Sequence, residues 1–283
     1  MPFPPGTVSK ILWHFTGGPK WNETSKCQEG SPKPVSEAYE ALRAILQSKH
    51  LCLGKYHEVV TVRVPTRRWR ATLIEDTRPE FYDVQYQSCP VCCVSDIPVA
   101  HLSYHAERYG KIAIGFHRDS AIRAGFNPVF YSLHESVVLH SLHDGFAQLG
   151  EFAPHNFSAA DDIVSIVERL ECKEGHTVDL NDARDDVESA VDEIREAVER
   201  ATNRLEYLLA FVKTFANDEF STIYCEREWR STNPFRFTID DVAMIVLPKV
   251  VENRRYFDEF VSSSSEEVPR SIPIVPWEDL IEH

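Results

Sequence analysis

An acid-rich stretch with helical periodicity constrains the fold more than any other feature of this chain. Between residues 182 and 215 apolar side chains recur every three or four positions, which predicts a long amphipathic helix. The wider segment 151–206 holds sixteen acidic residues but only six Arg or Lys, so it carries most of the formal net charge of −14. A solvated helix face is a simpler interpretation of this charge than a surface for a basic partner. Ser158, followed by Asp161, predicts the start of a further helix within the same segment.

Short β-rich runs on both sides of this segment predict a sheet. They cover residues 11–16, 58–64, 91–95, 111–116, 128–133, 221–230 and 242–247. Shorter helices are predicted over residues 36–49 and 98–109, the second capped by Asp96. This order predicts a single α+β domain over residues 1–283, with a mixed, largely antiparallel sheet and a helical insertion at about 151–216. Residues 272–281 are expected to return and pack against the body.

Composition narrows the classes of function and the cellular location. The chain has 44 Asp and Glu against 30 Lys and Arg, and this excess of negative charge disfavours non-specific binding to nucleic acid. No run of about eighteen apolar residues and no secretion signal is visible, so we expect neither a membrane span nor export. Seven irregularly spaced cysteines are typical of reduced thiols. We therefore expect a cytoplasmic protein.

The predicted strand over residues 221–230 carries two carboxylates on one face. Side chains of a strand alternate, so Glu226 and Glu228 are predicted to lie on one side, roughly 7 Å apart. Like charges at that distance raise each other's pKa unless a cation or ligand intervenes. Pairing with Arg227, Arg230 or a neighbouring strand is the simpler interpretation of the two glutamates.

Patterns that could hold a metal ion are incomplete. His101 and His105 lie one helical turn apart, but Leu102 stands where a zinc-protease motif has Glu. Cys89 and Cys92 form one Cys-x-x-Cys pair, and the sequence has no second pair. We therefore predict no metal site. Burial in an apolar strand raises the pKa of a thiol, so packing explains Cys92 better than nucleophilic catalysis does.

Four segments taken together resemble the AbiGi family. They are residues 11–16 with the helix that follows, residues 94–116, residues 127–131 and residues 224–230. That family is found in bacterial abortive-infection systems, which give phage resistance, and is described as their antitoxin side. The resemblance implies a phage-defence protein with a cognate toxin or operon partner.

A more distant resemblance, to ADP-ribosyltransferases, bears on mechanism. It rests on His14 and Thr16 on the first strand, a Ser or Tyr on a middle strand, and the late Glu-x-Glu. Those enzymes bind NAD in a cleft of a split sheet, so the resemblance implies NAD as substrate and a protein or nucleic-acid acceptor. Glu228 would contact the ribose 2′-hydroxyl and stabilise an oxocarbenium-like transition state. Glu226 would orient or deprotonate the acceptor.

The same resemblance assigns residues to an NAD pocket, and two functions stay open. The pocket residues are His14, Phe15, Thr16 and either Ser95 or Tyr131, with Tyr104, His105 and Tyr109 as rival wall residues. A transferase requires His14 and Glu228 to converge on one cleft. The alternative is a non-catalytic antitoxin that binds a toxin through its acidic helices, weakly at high salt and without need of Glu228.

Overall fold

A computed structural model describes residues 9–22, 24, 27–28, 30–55, 57–65, 81–148, 181–219, 223–263 and 272–281. The strands are β1 (Ile11–Phe15), β2 (Trp21–Asn22), β3 (Cys27–Gln28), β4 (His50–Leu51), β5 (His57–Pro65), β6 (Phe81–Pro90), β7 (Cys92–Ser95), β8 (Ala113–His117), β9 (Asn127–Pro128), β10 (Phe130–Leu133), β11 (Val212–Phe215), β12 (Glu228–Ser231), β13 (Phe235–Arg236), β14 (Val242–Leu247) and β15 (Ile274–Pro276). The helices are α1 (Val35–Ser48), α2 (Leu102–Tyr109), α3 (Arg118–Arg123), α4 (137–148), α5 (Asn181–Leu209), α6 (Arg254–Ser263) and α7 (Trp277–Ile281).

A seven-stranded sheet forms the centre of the fold, in the order β15-β14-β8-β1-β7-β12-β9. Its neighbouring strands pair antiparallel, except β14 and β15, which are parallel. This arrangement confirms the predicted α+β class with a mixed, largely antiparallel sheet. The return of the last residues is also confirmed, because β15 pairs with β14 and Trp277 is buried.

Both faces of this sheet are covered, and the alternation of side chains along each strand decides which face each residue packs on. Leu12 packs with α1 and α6 on one face, whereas its neighbour Trp13 packs with α2 and α7 on the other. Ile114 and Ala113 of β8 divide between the two faces in the same way. The strands therefore contribute apolar side chains to two separate cores.

A smaller layer holds the acidic helix. β5 and β6 pair antiparallel, and β10 pairs in parallel with β11. Their core consists of Val60, Val62, Leu139, Leu209 and Val212, so α5 is anchored in it at its C-terminal end.

Several predicted boundaries differ from the structure. The helix predicted to reach residue 215 ends at Leu209, because the β-rich run that follows pairs with β10. Asp96 does not cap a helix: the turn that precedes α2 begins after Pro98 and has no side-chain cap. The strand β6 and the helices α3, α4 and α6 were not predicted. The helix predicted from Ser158 lies outside the described residues, and no helix within the described ranges is long and apolar enough to cross a membrane.

Gly115 provides a test of the central packing. A Cβ on Gly115 would lie 2.7 Å from Ile11 Cγ2 and 3.1 Å from Trp13 Cζ3. We expect Gly115→Ala to lower the free energy of unfolding by about 1–3 kcal/mol, as overpacked core substitutions do. Urea denaturation measures the change. Gly145→Ala is the control, because a Cβ on Gly145 meets nothing within 4 Å, and this variant should be as stable as the wild type or more so. If the wild type, Gly115→Ala and Gly145→Ala were equally stable, the close packing around Gly115 would be contradicted.

Candidate functional site

Residues 224–231 bring two glutamates into the interior through a turn. Tyr224–Glu226 form one turn of 3-10 helix, and Arg227 follows with a φ of 43°, in the left-handed region that side chains disfavour. The backbone amide of Asp96 donates to the Arg227 carbonyl at 2.9 Å. β12 begins only at Glu228, so the strand predicted over residues 221–230 is wrong in the described residues before that point.

Lys213 lies between the two glutamates. Its Nζ is 2.5 Å from Glu226 Oε2 and 3.3 Å from Glu228 Oε2. All three side chains are largely buried. Burial alone would raise the pKa of Glu228, but Arg230 and Lys213 outweigh it and lower that pKa below its ordinary value. Glu226 therefore does not keep Glu228 protonated, because the ammonium group of Lys213 lies between the two carboxylates.

Arg230 completes the ion network from the opposite side of Glu228. Its side chain is fully buried, and Nη2 donates to Glu228 Oε2 at 2.7 Å and to Glu58. Its Nη1 donates to the carbonyl of Ala210 at 2.9 Å. The buried guanidinium thus joins β12 to β5 and to the end of α5.

The rim of the network is closed by α2. Arg108 Nη1 donates to Glu226 Oε1 at 2.7 Å, and the Tyr109 hydroxyl donates to the same oxygen at 3.3 Å. Burial raises the pKa of Tyr109 and that of Tyr131, so both are neutral phenols. The Tyr131 hydroxyl accepts from the Glu228 amide at 2.7 Å, which fixes the start of β12.

Cavities lined by described residues adjoin this network on several sides. One of about 160 Å³ is lined by Glu226 and Glu228 together. A second, of about 280 Å³, adjoins Glu226 beside α2, and a third, of about 360 Å³, adjoins Glu228 beside Tyr131. Glu226 and Glu228 therefore border cavities whose other lining residues differ.

The smallest cavity collects most of the residues that the resemblance to ADP-ribosyltransferases assigned. It is lined by His14, Phe15, Ser95, Glu226 and Glu228 among others. These residues meet because Ser95 of β7 pairs with Trp13 of β1 on one side and with Glu228 of β12 on the other. The convergence of His14 and Glu228 is thus present.

The other assigned residues lie elsewhere. Thr16 does not join the cavity: it is buried, and its hydroxyl donates to the carbonyl of Ala38 at 2.8 Å. Tyr104 is half-exposed and lines the 280 Å³ cavity, whereas Tyr131 lines the 360 Å³ cavity. Of the rival wall residues, His105 and Tyr109 line both the smallest cavity and the 280 Å³ cavity.

The half-buried His14 and the buried His105 are both neutral. Nδ1 of His14 is 3.1 Å from the Cys93 carbonyl, so this nitrogen carries a proton and donates. Burial lowers the pKa of His14, and burial lowers that of His105 to about 4. His105 packs between the rings of Phe15 and Tyr109, at centroid distances of 4.8 and 4.3 Å. Neither imidazole contributes a positive charge to the site at neutral pH.

Sequence reasoning missed Lys213, which it placed in a helix. The signal was the run Phe211-Val212-Lys213-Thr214-Phe215, whose aromatic and β-branched residues are typical of a strand. Among the described residues, no group of three or more His, Cys, Asp or Glu side chains is placed to hold a metal ion.

The buried His105 predicts how stability depends on pH. Its pKa is about 4 in the folded chain and 6.5 in the unfolded one, so between these values the unfolded state binds more protons. The free energy of unfolding should therefore fall as pH falls from 6.5 to about 4. His105→Phe keeps the ring packing and should flatten this slope in urea titrations. His117→Gln, at an exposed position, is the control; a slope that His105→Phe leaves unchanged would contradict the prediction.

Comparison with known families supplies the identity. A family model described as "Putative abortive phage resistance protein AbiGi, antitoxin" matches residues 65–265, more than half of the chain. The match includes the segments 94–116, 127–131 and 224–230 but not His14. No curated protein and no solved structure gives a match, and the likeness to ADP-ribosyltransferases stays a prediction. The chain belongs to the AbiGi family, the antitoxin side of abortive phage resistance.

Proposed function

We propose that this chain is an antitoxin that neutralises its cognate toxin by direct binding through the outer face of α5. The observation that carries the proposal is the exposure of acidic side chains along almost the whole helix. The exposed acids are Asp185, Glu188, Asp192, Glu193, Glu196, Glu199 and Glu206. Only Leu209, at the C-terminal end, is buried among the described side chains of α5. The helix is therefore anchored at one end and presents carboxylates over the rest.

The charge of this face determines the kind of partner. Arg195 and Arg200 pair with Asp192 and Glu196, at 2.5 and 2.9 Å, and leave the face with an excess of carboxylates. A negative surface of this kind attracts a basic surface and speeds encounter with it. The chain's net charge of −14 adds to this attraction. The partner that fits is a toxin with a positively charged face.

Apolar side chains on the same helix supply contact area. Ile194, Tyr207 and Leu208 are large apolar residues of α5 that remain exposed. Protein interfaces combine a desolvated apolar centre with a polar rim, and tyrosine is enriched in them. Of the three, Tyr207 lies on the same side of α5 as Glu196, three helical turns away, so a basic partner that covers the acidic face would bury it.

Charge reversal on α5 tests the proposal. We expect Glu193→Lys with Glu199→Lys to weaken binding of the operon partner by about tenfold or more, because two attractions become repulsions. Binding of the wild type should also weaken as salt is added, since exposed charges are screened. Titration calorimetry with the purified partner measures both effects.

The control for this test carries the same change of charge. Glu107→Lys with Glu252→Lys alters two exposed carboxylates outside α5, and its affinity should equal that of the wild type. Equal weakening by both double variants would assign the effect to net charge alone and reject α5 as the binding face.

A second function, transfer of ADP-ribose from NAD, is favoured by the meeting of His14, Ser95, Glu226 and Glu228 at one cavity. In that reaction the bond from ribose C1′ to the nicotinamide nitrogen breaks, and neutral nicotinamide leaves with the electron pair. Glu228, which Arg230 and Lys213 keep ionised, would stabilise the positive charge at C1′. A nucleophile of a protein or nucleic-acid acceptor would then bond to C1′ and lose its proton to Glu226.

Turnover of labelled NAD tests this second function. Wild type is expected to release nicotinamide or label a target, and Glu228→Gln, which keeps the shape and removes the charge, should lose about a hundredfold or more in rate. Glu107→Gln is the matched control, because Glu107 is exposed on α2 and does not line the cavity of Glu228. Absence of turnover in wild type, with the operon partner and lysate added, would reject the transferase function.

A further inference from the structure

The cavity of about 360 Å³ beside Glu228 has an aromatic wall. Tyr131, Tyr224 and Trp229 line it, and the two tyrosine rings meet edge to face at a centroid distance of 5.5 Å. Its volume falls within the range of small-molecule sites in proteins, which combine apolar walls with a few polar groups. The recess is thus suited in size and lining to a flat, ring-shaped ligand.

Asp96 supplies a polar group to this cavity. Its side chain is only 9% exposed, and its Oδ2 accepts from Arg227 Nη2 at 3.2 Å. Its other carboxylate oxygen, Oδ1, has no hydrogen-bond partner among the described residues. A buried carboxylate oxygen without a donor is costly, and such groups in native proteins usually indicate a missing partner. Oδ1 itself is covered, so a ligand with an N–H donor would supply one as the carboxylate rotates towards the cavity.

The charged side chains around the cavity further limit which ligands fit it. Arg227 stands beside Asp96 and disfavours a second cation there, such as the guanidinium of a partner protein. Lys213 and Arg230 both contact Glu228 Oε2, so Glu228 needs no further cation from a ligand in this cavity. A neutral ring that donates an N–H group to Asp96 and carries an anionic group for Arg227 satisfies these conditions.

We propose that this cavity binds the base of a mononucleotide. The base packs against the tyrosine and tryptophan rings, one of its N–H groups donates to Asp96 Oδ1, and its phosphate lies towards the half-exposed Arg227. The excess negative charge of the chain favours a free mononucleotide over a polynucleotide, whose backbone it repels.

This site goes beyond both functions proposed above. The antitoxin proposal depends on the exposed acids of α5, none of which lines this cavity. The transferase proposal depends on the smaller cavity, which shares only Glu228 with this one. Mononucleotide binding requires neither toxin nor turnover, so its failure is distinguishable from theirs.

Titration calorimetry of the full chain with AMP, GMP, CMP and UMP tests the proposal. At least one of them should bind saturably at one site, and ribose 5-phosphate, which lacks the base, should bind about tenfold more weakly or not at all. Asp96→Asn can keep an oxygen for Arg227 while turning an NH₂ group towards the ligand. This variant should lose about tenfold or more in affinity, because an acceptor becomes a donor.

Two further variants keep the test sharp. Tyr224→Ala removes a half-exposed ring and should weaken binding about tenfold even if Asp96→Asn fails to fold. Glu107→Gln, an equivalent change beside a different cavity, should bind as wild type does. The proposal is overturned if no mononucleotide binds, if ribose 5-phosphate binds equally well, if only single-stranded oligonucleotides bind, or if folded Asp96→Asn and Tyr224→Ala retain wild-type affinity.

Discussion

The two layers of this protein depend on the ion pairs and hydrogen bonds of the buried Arg230 guanidinium. It lies on β12 of the central sheet and donates to Glu58 on β5 and to the carbonyl of Ala210 beyond the end of α5. Removing one partner of a buried ion pair costs about 3–5 kcal/mol, because the remaining charge has no counterion. Arg230 therefore fixes where the smaller layer, and with it the acidic helix, meets the sheet. Glu228 is held in the same network.

One continuous segment connects the acidic surface to the buried carboxylates. α5 ends at Leu209, and β11, which follows, supplies the ammonium of Lys213 between Glu226 and Glu228. The exposed carboxylates of α5 are solvated and available to a partner, whereas Glu226 and Glu228 are paired with internal cations. The two sets of acids therefore have different physical roles, although both are close in sequence. An antitoxin surface and a ligand cavity can exist in one chain without sharing side chains.

Much of the fold could be predicted, because strands buried on both faces leave short apolar runs in the sequence and an amphipathic helix leaves a period of three to four residues. The end of α5 could not, since Leu209 and Val212 are buried equally well by a helix or by a helix followed by a strand. The glutamate pair was predicted, but Lys213 was not, because only the pairing of β10 with β11 brings it there. The turn at Arg227 is held by a hydrogen bond from the distant Asp96 amide, which no local pattern reveals.

Hydrogen–deuterium exchange on the complex with the operon partner tests the central claim most directly. Binding should slow exchange of backbone amides along residues 185–206 of α5, where the exposed acids lie. Residues 11–15 and 92–95, which form the interior of the sheet, should exchange as they do in the free protein. Protection confined to residues 92–96 and 224–229, with α5 unchanged, would contradict the account and place the toxin at the Glu228 cavities instead.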